Sequence, residues 1–144
     1  MITGLNHVSI VVPDITAAAR QLNEKYGLAV GARMENAEQG VRLAYVELGG
    51  ARIELMEPSR PDSPVAKFLE RNPKGGIHHF CLGVDDVEEA ARGFAGNGVR
   101  VLGSGKPQHN VAGDRIAFIH PGDFLGALVE LEQHRATDPG DRNP

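Results

Sequence analysis

An internal repeat of a little over seventy residues constrains the fold more than any other feature of this chain. Residues 7–14 read HVSIVVPD and residues 79–86 read HFCLGVDD. The triplets IEL around Glu54 and VEL around Glu130 follow in the same order. The offsets are 79 − 7 = 72 and 130 − 54 = 76 residues. Two matched pairs at nearly the same offset predict that one supersecondary unit occurs twice.

Each copy of the repeat predicts one strand, one helix and three further strands. Runs rich in β-branched residues and bounded by turn residues predict the strands, and apolar residues at helical spacing predict the helices. The elements expected in the first copy are a strand at 5–14, a helix at 15–28 and strands at 29–35, 40–48 and 51–58. Those of the second copy are a strand at 78–86, a helix at 87–98 and strands at 99–103, 115–121 and 126–134, with a short helix within 58–76 between the copies. The pattern predicts an α+β protein made of two βαβββ modules.

Two adjacent histidines, His78 and His79, raise the question of which one faces a site. Successive residues of a strand point to opposite faces of the sheet, so only one of them can. His7 alternates with the small residue Ser9, and His79 alternates with the small residue Cys81. The bulky apolar faces of the same strands are expected to pack under helices, which leaves the small, polar faces free to line a cavity. This alternation places His7 and His79 on the cavity face and His78 on the helix side.

The carboxylates of the repeat follow the same alternation. Glu54 and Glu130 lie on the faces opposite to their apolar neighbours in the last strand of each module. Two imidazoles and two carboxylates suit a divalent metal that keeps positions open for water or substrate. The sequence therefore predicts four metal ligands, His7, Glu54, His79 and Glu130.

Simpler roles are expected for the other polar candidates. Glu47, Glu57 and Glu132 are predicted to be solvated strand residues. His120 precedes a proline and is predicted to lie in a loop or at the rim of a pocket rather than to bind metal. Cys81 is predicted to be a small buried hydrophobe.

Composition limits the classes of partner. Hydrophobic residues make up 41% of the chain and charged residues 24%, which is normal for a globular protein. The net charge is −4 and no basic cluster is interleaved with aromatic residues, so nucleic acid is not an expected partner. A single cysteine cannot form an internal disulfide. No signal sequence or apolar run of membrane-spanning length is apparent, so a cytoplasmic protein that does not bind membranes is expected.

The sequence resembles the vicinal-oxygen-chelate superfamily, which contains glyoxalases, bleomycin-resistance proteins and dioxygenases, and within it the methylmalonyl-CoA epimerases. The matching segments run in order from about residue 5 to 133: LNHVSIVVPD, EQGVRLAYVELG, IELMEP, DSPVAKFLERNPKGGIHHFCLGVDD, RIAFIHP and GALVELEQ. The resemblance implies one domain over residues 1–134, with modules at about 4–58 and 76–134, and a polar tail at 135–144. It implies that the modules form a curved mixed sheet around a metal site, with helices on the outer face.

The resemblance also implies a ligand set and a reaction. The family's metal ligands match His7, Glu54, His79 and Glu130. The implied reaction interconverts (2R)- and (2S)-methylmalonyl-CoA by removing and returning the C2 proton through an enolate. Some members carry a catalytic glutamate at the position of Leu43, and leucine cannot accept a proton. The second base must therefore lie elsewhere in this chain. The hypothesis from the residues is that Glu130 serves one face of C2 and Glu54 the other, because the equivalence of the two modules would place them on opposite sides of the metal.

The resemblance implies partners as well. One divalent ion is expected in each chain, with Co²⁺ first and Mn²⁺, Ni²⁺ or Zn²⁺ as alternatives. A homodimer is expected. Independently of the resemblance, the CoA moiety of the substrate is expected outside the sheet cavity, along residues 58–76 and Lys106.

Three other functions share parts of this pattern. A lactoylglutathione lyase of the glyoxalase I type uses the same four ligand types, but the epimerase-like segments argue against it. A ring-cleaving dioxygenase normally holds iron with two histidines and one glutamate, so Glu54 argues against that function. A metal-free binding protein of the same fold lacks the ligand quartet.

Overall fold

The computed structural model describes residues 1–103 and 108–133. Lys106 and the polar tail at 135–144 therefore lie outside the described residues. The elements are β1 (Ile2–Val11), α1 (Ile15–Tyr26), β2 (Met34–Asn36), β3 (Val41–Glu47), β4 (Arg52–Pro58), α2 (Pro64–Arg71), β5 (Gly76–Val84), α3 (Val87–Gly96), β6 (Val101–Leu102), β7 (Gln108–His109), β8 (Arg115–Ile119), a 3₁₀ turn (Pro121–Asp123) and β9 (Val129–Gln133). Each repeat therefore has the predicted order of strand, helix and three strands, and the second repeat adds the two-residue β7.

The chain divides into two compact units. The first unit comprises Leu5–Phe80, and the second comprises Met1–Gly4 together with the described residues that follow Phe80. In the first unit the strand order is β2-β3-β4-β1-β5, with β1 parallel to β4 and with β2–β3 and β3–β4 antiparallel. In the second unit β8 pairs antiparallel with β6, β7 and β9. Among the described residues, no helix is long and apolar enough to span a bilayer.

Helix α1 covers the bulky face of the first unit's sheet, as the alternation predicts. The helix begins where Asp14 accepts hydrogen bonds from two backbone N–H groups of the first turn, and it ends at Gly27 in the left-handed conformation. Its Ala18 and Leu22 pack against a cluster that includes Ile10 on β1. The predicted helix side of β1 is therefore confirmed.

Helix α2 packs on the opposite face of the same sheet, which the sequence pattern did not predict. Val65 and Phe68 of this helix join a buried cluster with Val11, Leu43 and Met56. These strand residues alternate with the residues under α1, so they lie on the face that carries His7 and Ser9. That face is also the more buried one, because Ser9 and Val11 are fully inaccessible to solvent.

Glu57 is buried, so the prediction that it is solvated is wrong. One carboxylate oxygen accepts a hydrogen bond from the backbone N–H of Ile15 at 2.8 Å, and the other accepts one from Arg42 Nε at 2.8 Å. The carboxylate thus satisfies a backbone donor in the first turn of α1, a tertiary contact that strand alternation does not reveal. Glu132 is buried as well, against prediction, whereas Glu47 is exposed as predicted.

Some predicted boundaries are too wide. In place of the strand expected at 29–35 a strand forms only over Met34–Asn36, and in place of the one expected at 99–103 only over Val101–Leu102. Gly31 instead makes a single backbone hydrogen bond to Tyr45 at 2.8 Å. The hairpin between β3 and β4 turns at Gly49 and Gly50, in the place where turn residues separate two strand-forming runs.

Gly75 sets the start of the strand that carries His79, and we expect Gly75→Ala to destabilise the protein. Its φ is +85°, and an added Cβ would overlap the backbone carbonyl oxygen of Val11, which cannot swing away as a side chain can. The strained backbone alone should lower the free energy of unfolding by about 1–3 kcal/mol. Gly76→Ala is the matched control, because its Cβ would meet only Phe68 at an ordinary 3.7 Å. Urea unfolding of both variants measures the difference, and equal midpoints would contradict the expectation.

An ion pair in the second unit should make stability depend on pH in the acid range. Arg100 donates to the carboxylate of Asp123 from its backbone N–H and its guanidinium, and these bonds lower the pKa of Asp123 from 3.8 to about 2. A carboxyl group with a lowered pKa stabilises the fold above its unfolded pKa and loses this contribution as pH falls through its folded pKa. Asp123→Asn should therefore be less stable than the natural chain above about pH 4, and the difference should shrink towards pH 2. Urea midpoints measured from pH 2 to 6 test this, and a difference that is constant with pH would contradict it.

Candidate metal centre

Three of the four predicted ligands come together in the first unit. His7 on β1, Glu54 on β4 and His79 on β5 offer ligand atoms that all lie within 4.8 Å of one another. All three side chains are buried, with exposed fractions of 1%, 7% and 5%. Burying a carboxylate and two imidazoles in one place is costly unless they are paired or bind a cation. This set therefore has the chemistry of a centre for a divalent metal.

Strand register explains why these residues meet. β1 and β4 are parallel neighbours, and Ser9 lies opposite Glu54 while His7 lies opposite Arg52. β3 pairs with the other side of β4 and places Tyr45 opposite Glu54. β5 is the neighbour of β1 on its free side. A residue on each of three adjacent strands can thus point to the same side of the sheet at nearly the same height.

Two hydroxyl groups hold the carboxylate of Glu54. Ser9 Oγ donates to Oε1 at 2.9 Å, and the Tyr45 hydroxyl donates to Oε2 at 2.7 Å. Nε2 of His7 lies 3.8 Å from Oε1. Because each carboxylate oxygen has two lone pairs, both oxygens keep the capacity for a second interaction, such as a bond to a metal.

His7 is oriented from the other side of its ring. Its Nδ1 lies 2.8 Å from Oδ1 of Asn6, within hydrogen-bond distance. Metal-binding histidines commonly use one nitrogen as the ligand while the other donates a proton to an oxygen of the protein. The contacts of His7 follow this arrangement, with Nε2 directed to Glu54 and Nδ1 to Asn6.

His78 is closer to the centre than strict alternation predicts. Its Nδ1 lies 2.8 Å from Nδ1 of His79, and the two ring centroids are 5.1 Å apart. The His78 ring also meets the ring of Phe68 on α2 edge to face, with centroids 5.3 Å apart. His78 is therefore a direct neighbour of a predicted ligand, which the sequence analysis did not anticipate.

Glu130, the fourth predicted ligand, belongs to the second unit. It lies on β9 opposite Phe118 of β8, and its exposed fraction is 5%. Glutamate side chains are rarely buried to this extent unless they are paired with another group. Its place in the ligand set stays a prediction.

Leu43 is a core residue. Its exposed fraction is 4%, and it packs in the apolar cluster with Val11, Met56 and Val65. A carboxylate in this cluster would be surrounded by apolar side chains. The neighbouring polar group on the same face of β3 is instead the Tyr45 hydroxyl, two residues along the strand.

The remaining candidates lie where they were predicted. His120 precedes the 3₁₀ turn, and its Nδ1 accepts a hydrogen bond from the Gly122 N–H at 2.9 Å, so it is a loop residue. Cys81 is fully buried and forms no disulfide. Three neighbours of the predicted ligands were not expected from the sequence: Asn6 contacts His7, Tyr45 contacts Glu54, and Arg52 contacts both Asn6 and Tyr45. Only the pairing of β3 and β1 with β4 reveals them, and that register is not apparent from one strand alone.

Comparison with known proteins agrees with the fold. The profile of the Glyoxalase/Bleomycin resistance protein/Dioxygenase superfamily matches residues 6–118. The chain belongs to this superfamily. This chain is 47% identical over 133 residues to a curated protein, the ethylmalonyl-CoA/methylmalonyl-CoA epimerase of Cereibacter sphaeroides. The alignment covers 92% of this chain and 99% of that one.

The fold of this chain is also similar to solved structures of methylmalonyl-CoA epimerases. A glutamate-to-leucine variant of Streptomyces coelicolor methylmalonyl-CoA epimerase, in complex with 2-nitronate-propionyl-CoA, matches with a TM-score of 0.86 and 36% identity, covering 96% of this chain and 99% of that one. A methylmalonyl-CoA epimerase in complex with methylmalonyl-CoA and NH₄⁺ matches with a TM-score of 0.86 and 35% identity over the same shares. The superfamily fold expected from the sequence is confirmed.

Proposed function

We propose that this chain is an isomerase that interconverts (2R)- and (2S)-methylmalonyl-CoA. One observation carries the proposal: a chain 47% identical to an ethylmalonyl-CoA/methylmalonyl-CoA epimerase over 92% of its length holds His7, Glu54 and His79 together as a buried set. Burying a carboxylate and two imidazoles together is costly, and such clusters commonly mark functional sites.

The reaction removes a weakly acidic proton from C2 of the thioester and returns one to the opposite face. The resulting carbanion is accessible only as an enolate, so negative charge must be stabilised on the thioester oxygen. A divalent cation held by His7, Glu54, His79 and Glu130 would supply a Lewis acid for that charge. The protein holds its ligand side chains rigidly, through the hydroxyls on Glu54 and the amide on His7, so little reorganisation is needed.

Proton transfer falls to carboxylates in this proposal. Glu130 serves one face of C2 and Glu54 serves the other. The carboxylate on the side of the departing hydrogen accepts it, and the carboxyl group on the opposite side, protonated at the start, returns a proton. Glu54 accepts one hydrogen bond on each oxygen and so retains a lone pair on each with which to receive a proton. Leu43 cannot take part, because its side chain has no acceptor.

Finer properties belong to the same proposal. The proposed metal is Co²⁺, and Mn²⁺, Ni²⁺ and Zn²⁺ are the alternatives because nitrogen and oxygen ligands accept all four. The protein acts as a homodimer in the cytoplasm. The CoA moiety lies along residues 58–76.

The test starts from one epimer of methylmalonyl-CoA. Because CoA is itself chiral, the two epimers are diastereomers that chromatography separates. We expect the cobalt-loaded protein to convert either epimer into the same equilibrium mixture. The hemithioacetal of methylglyoxal and glutathione is the comparison substrate, and ethylmalonyl-CoA tests the breadth of the pocket. No interconversion by a protein that holds metal, or turnover of the hemithioacetal alone, would overturn the proposal.

A further inference from the structure

Arg52 touches two residues that each contact a predicted ligand. Its Nη2 donates a hydrogen bond to Oδ1 of Asn6 at 3.0 Å. Its Cζ lies 4.1 Å from the centroid of the Tyr45 ring, within the range of a cation–π contact. Asn6 contacts His7, and Tyr45 contacts Glu54. The three residues Asn6, Tyr45 and Arg52, here named the Arg52 network, thus reach two of the four predicted ligands.

The hydrogen bond from Arg52 determines which way the Asn6 amide points. A guanidinium has only donors, so the Asn6 atom that faces it must be the amide oxygen. The same oxygen lies 2.8 Å from Nδ1 of His7. An oxygen can only accept, so His7 Nδ1 must carry the proton. Neutral His7 therefore has its lone pair on Nε2, the nitrogen that lies 3.8 Å from Glu54.

The second contact acts on Glu54. The guanidinium over the Tyr45 ring restricts the plane of that ring, and the Tyr45 hydroxyl donates to Oε2 of Glu54 at 2.7 Å. Arg52 lies directly opposite His7 on β1 and two residues before Glu54 on β4. One side chain therefore acts on ligands of two different strands.

We propose that Arg52 is a positioning residue of the metal centre, which fixes the proton of His7 through Asn6 and the orientation of Glu54 through Tyr45. The inference rests on the proposed metal site and deepens it. Arg52 contacts neither substrate nor metal in this account. Its effect is that the free protein already presents Nε2 of His7 and the carboxylate of Glu54 in the form a cation requires.

The test compares Arg52→Met with Arg20→Met, in full-length protein freed of metal. Arg20 is exposed on α1, so the same substitution there is the matched control. Long-range proton–nitrogen NMR at about pH 8, where an ordinary imidazole is neutral, reports which ring nitrogen of each histidine carries the proton. The His7 signals are assigned by their loss in His7→Gln. We expect the natural chain and Arg20→Met to show His7 protonated on Nδ1, and Arg52→Met to show a mixture.

Cobalt titration gives a second readout. We expect the dissociation constant for Co²⁺ to rise about 10- to 100-fold in Arg52→Met, the effect typical of residues that orient a ligand. Unchanged affinity together with an unchanged His7 spectrum would overturn the inference. If Arg52→Met fails to fold, the variants Asn6→Asp and Asn6→Leu test the inference instead. The aspartate keeps an acceptor for both Arg52 and His7, so His7 should stay protonated on Nδ1 as in the natural chain. The leucine has no acceptor, so His7 should show a mixture of the two protonated forms. Equal spectra for these two variants would also overturn it.

Failure of this inference is distinct from failure of the proposed function. A natural chain that binds cobalt but does not turn over methylmalonyl-CoA would refute the reaction and leave the role of Arg52 intact. An active chain in which Arg52→Met changes neither readout would refute the role of Arg52 alone.

Discussion

Glu130→Gln should lower the turnover of methylmalonyl-CoA by about 100- to 10,000-fold, the usual contribution of a positioned general base. The amide keeps the size of the carboxylate and removes its ability to accept a proton near neutral pH. Glu130 is buried, with an exposed fraction of 5%. An isosteric change at such a site should preserve the fold, which the urea unfolding midpoint checks.

The comparison that gives this result meaning is Glu24→Gln. Glu24 is exposed on α1, and its change removes the same charge from the molecule. Turnover is measured with cobalt in large excess, so that the metal site stays filled and any loss of turnover reports the missing proton acceptor rather than weaker metal binding. Near-full turnover by Glu130→Gln under these conditions would show that another group removes the C2 proton.

His7→Gln should abolish tight metal binding. His7 is the most buried of the three clustered predicted ligands, and its Nε2 lies 3.8 Å from Oε1 of Glu54. Losing a ligand should weaken Co²⁺ binding by more than the roughly 10- to 100-fold expected of residues that only orient one. Activity should fall in parallel at low cobalt concentration.

His109→Gln provides the control for this substitution. His109 is exposed on β7, and removing it should leave both the affinity and the stoichiometry of cobalt unchanged. Equilibrium dialysis with metal analysis measures both quantities. One tightly bound cobalt per chain in His7→Gln, with the affinity of the natural chain, would exclude His7 from the ligand set.

The repeat and the two-residue period of strands account for most of what the sequence could predict. They place His7, Glu54 and His79 on one face, and the structure brings these three side chains together. They also predict the face of β1 that packs under α1. Both inferences need only the direction of side chains along one strand, which alternation determines.

The features that the sequence did not predict depend on contacts between elements. The buried Glu57 accepts a hydrogen bond from the start of α1, and His78 contacts both His79 and Phe68 of α2. The Arg52 network depends on the register of three strands, which a single sequence does not specify. Leu43 illustrates the same limit: its packing partners on α2 identify it as part of the core.

The most direct test of the account is the exchange of the C2 proton of methylmalonyl-CoA in D₂O, followed by proton NMR. With cobalt-loaded protein, we expect the C2–H signal to disappear as the epimers interconvert, and we expect chelation to stop the exchange. A persistent C2–H signal, from a protein shown to hold one metal ion per chain, would contradict proton abstraction at this centre.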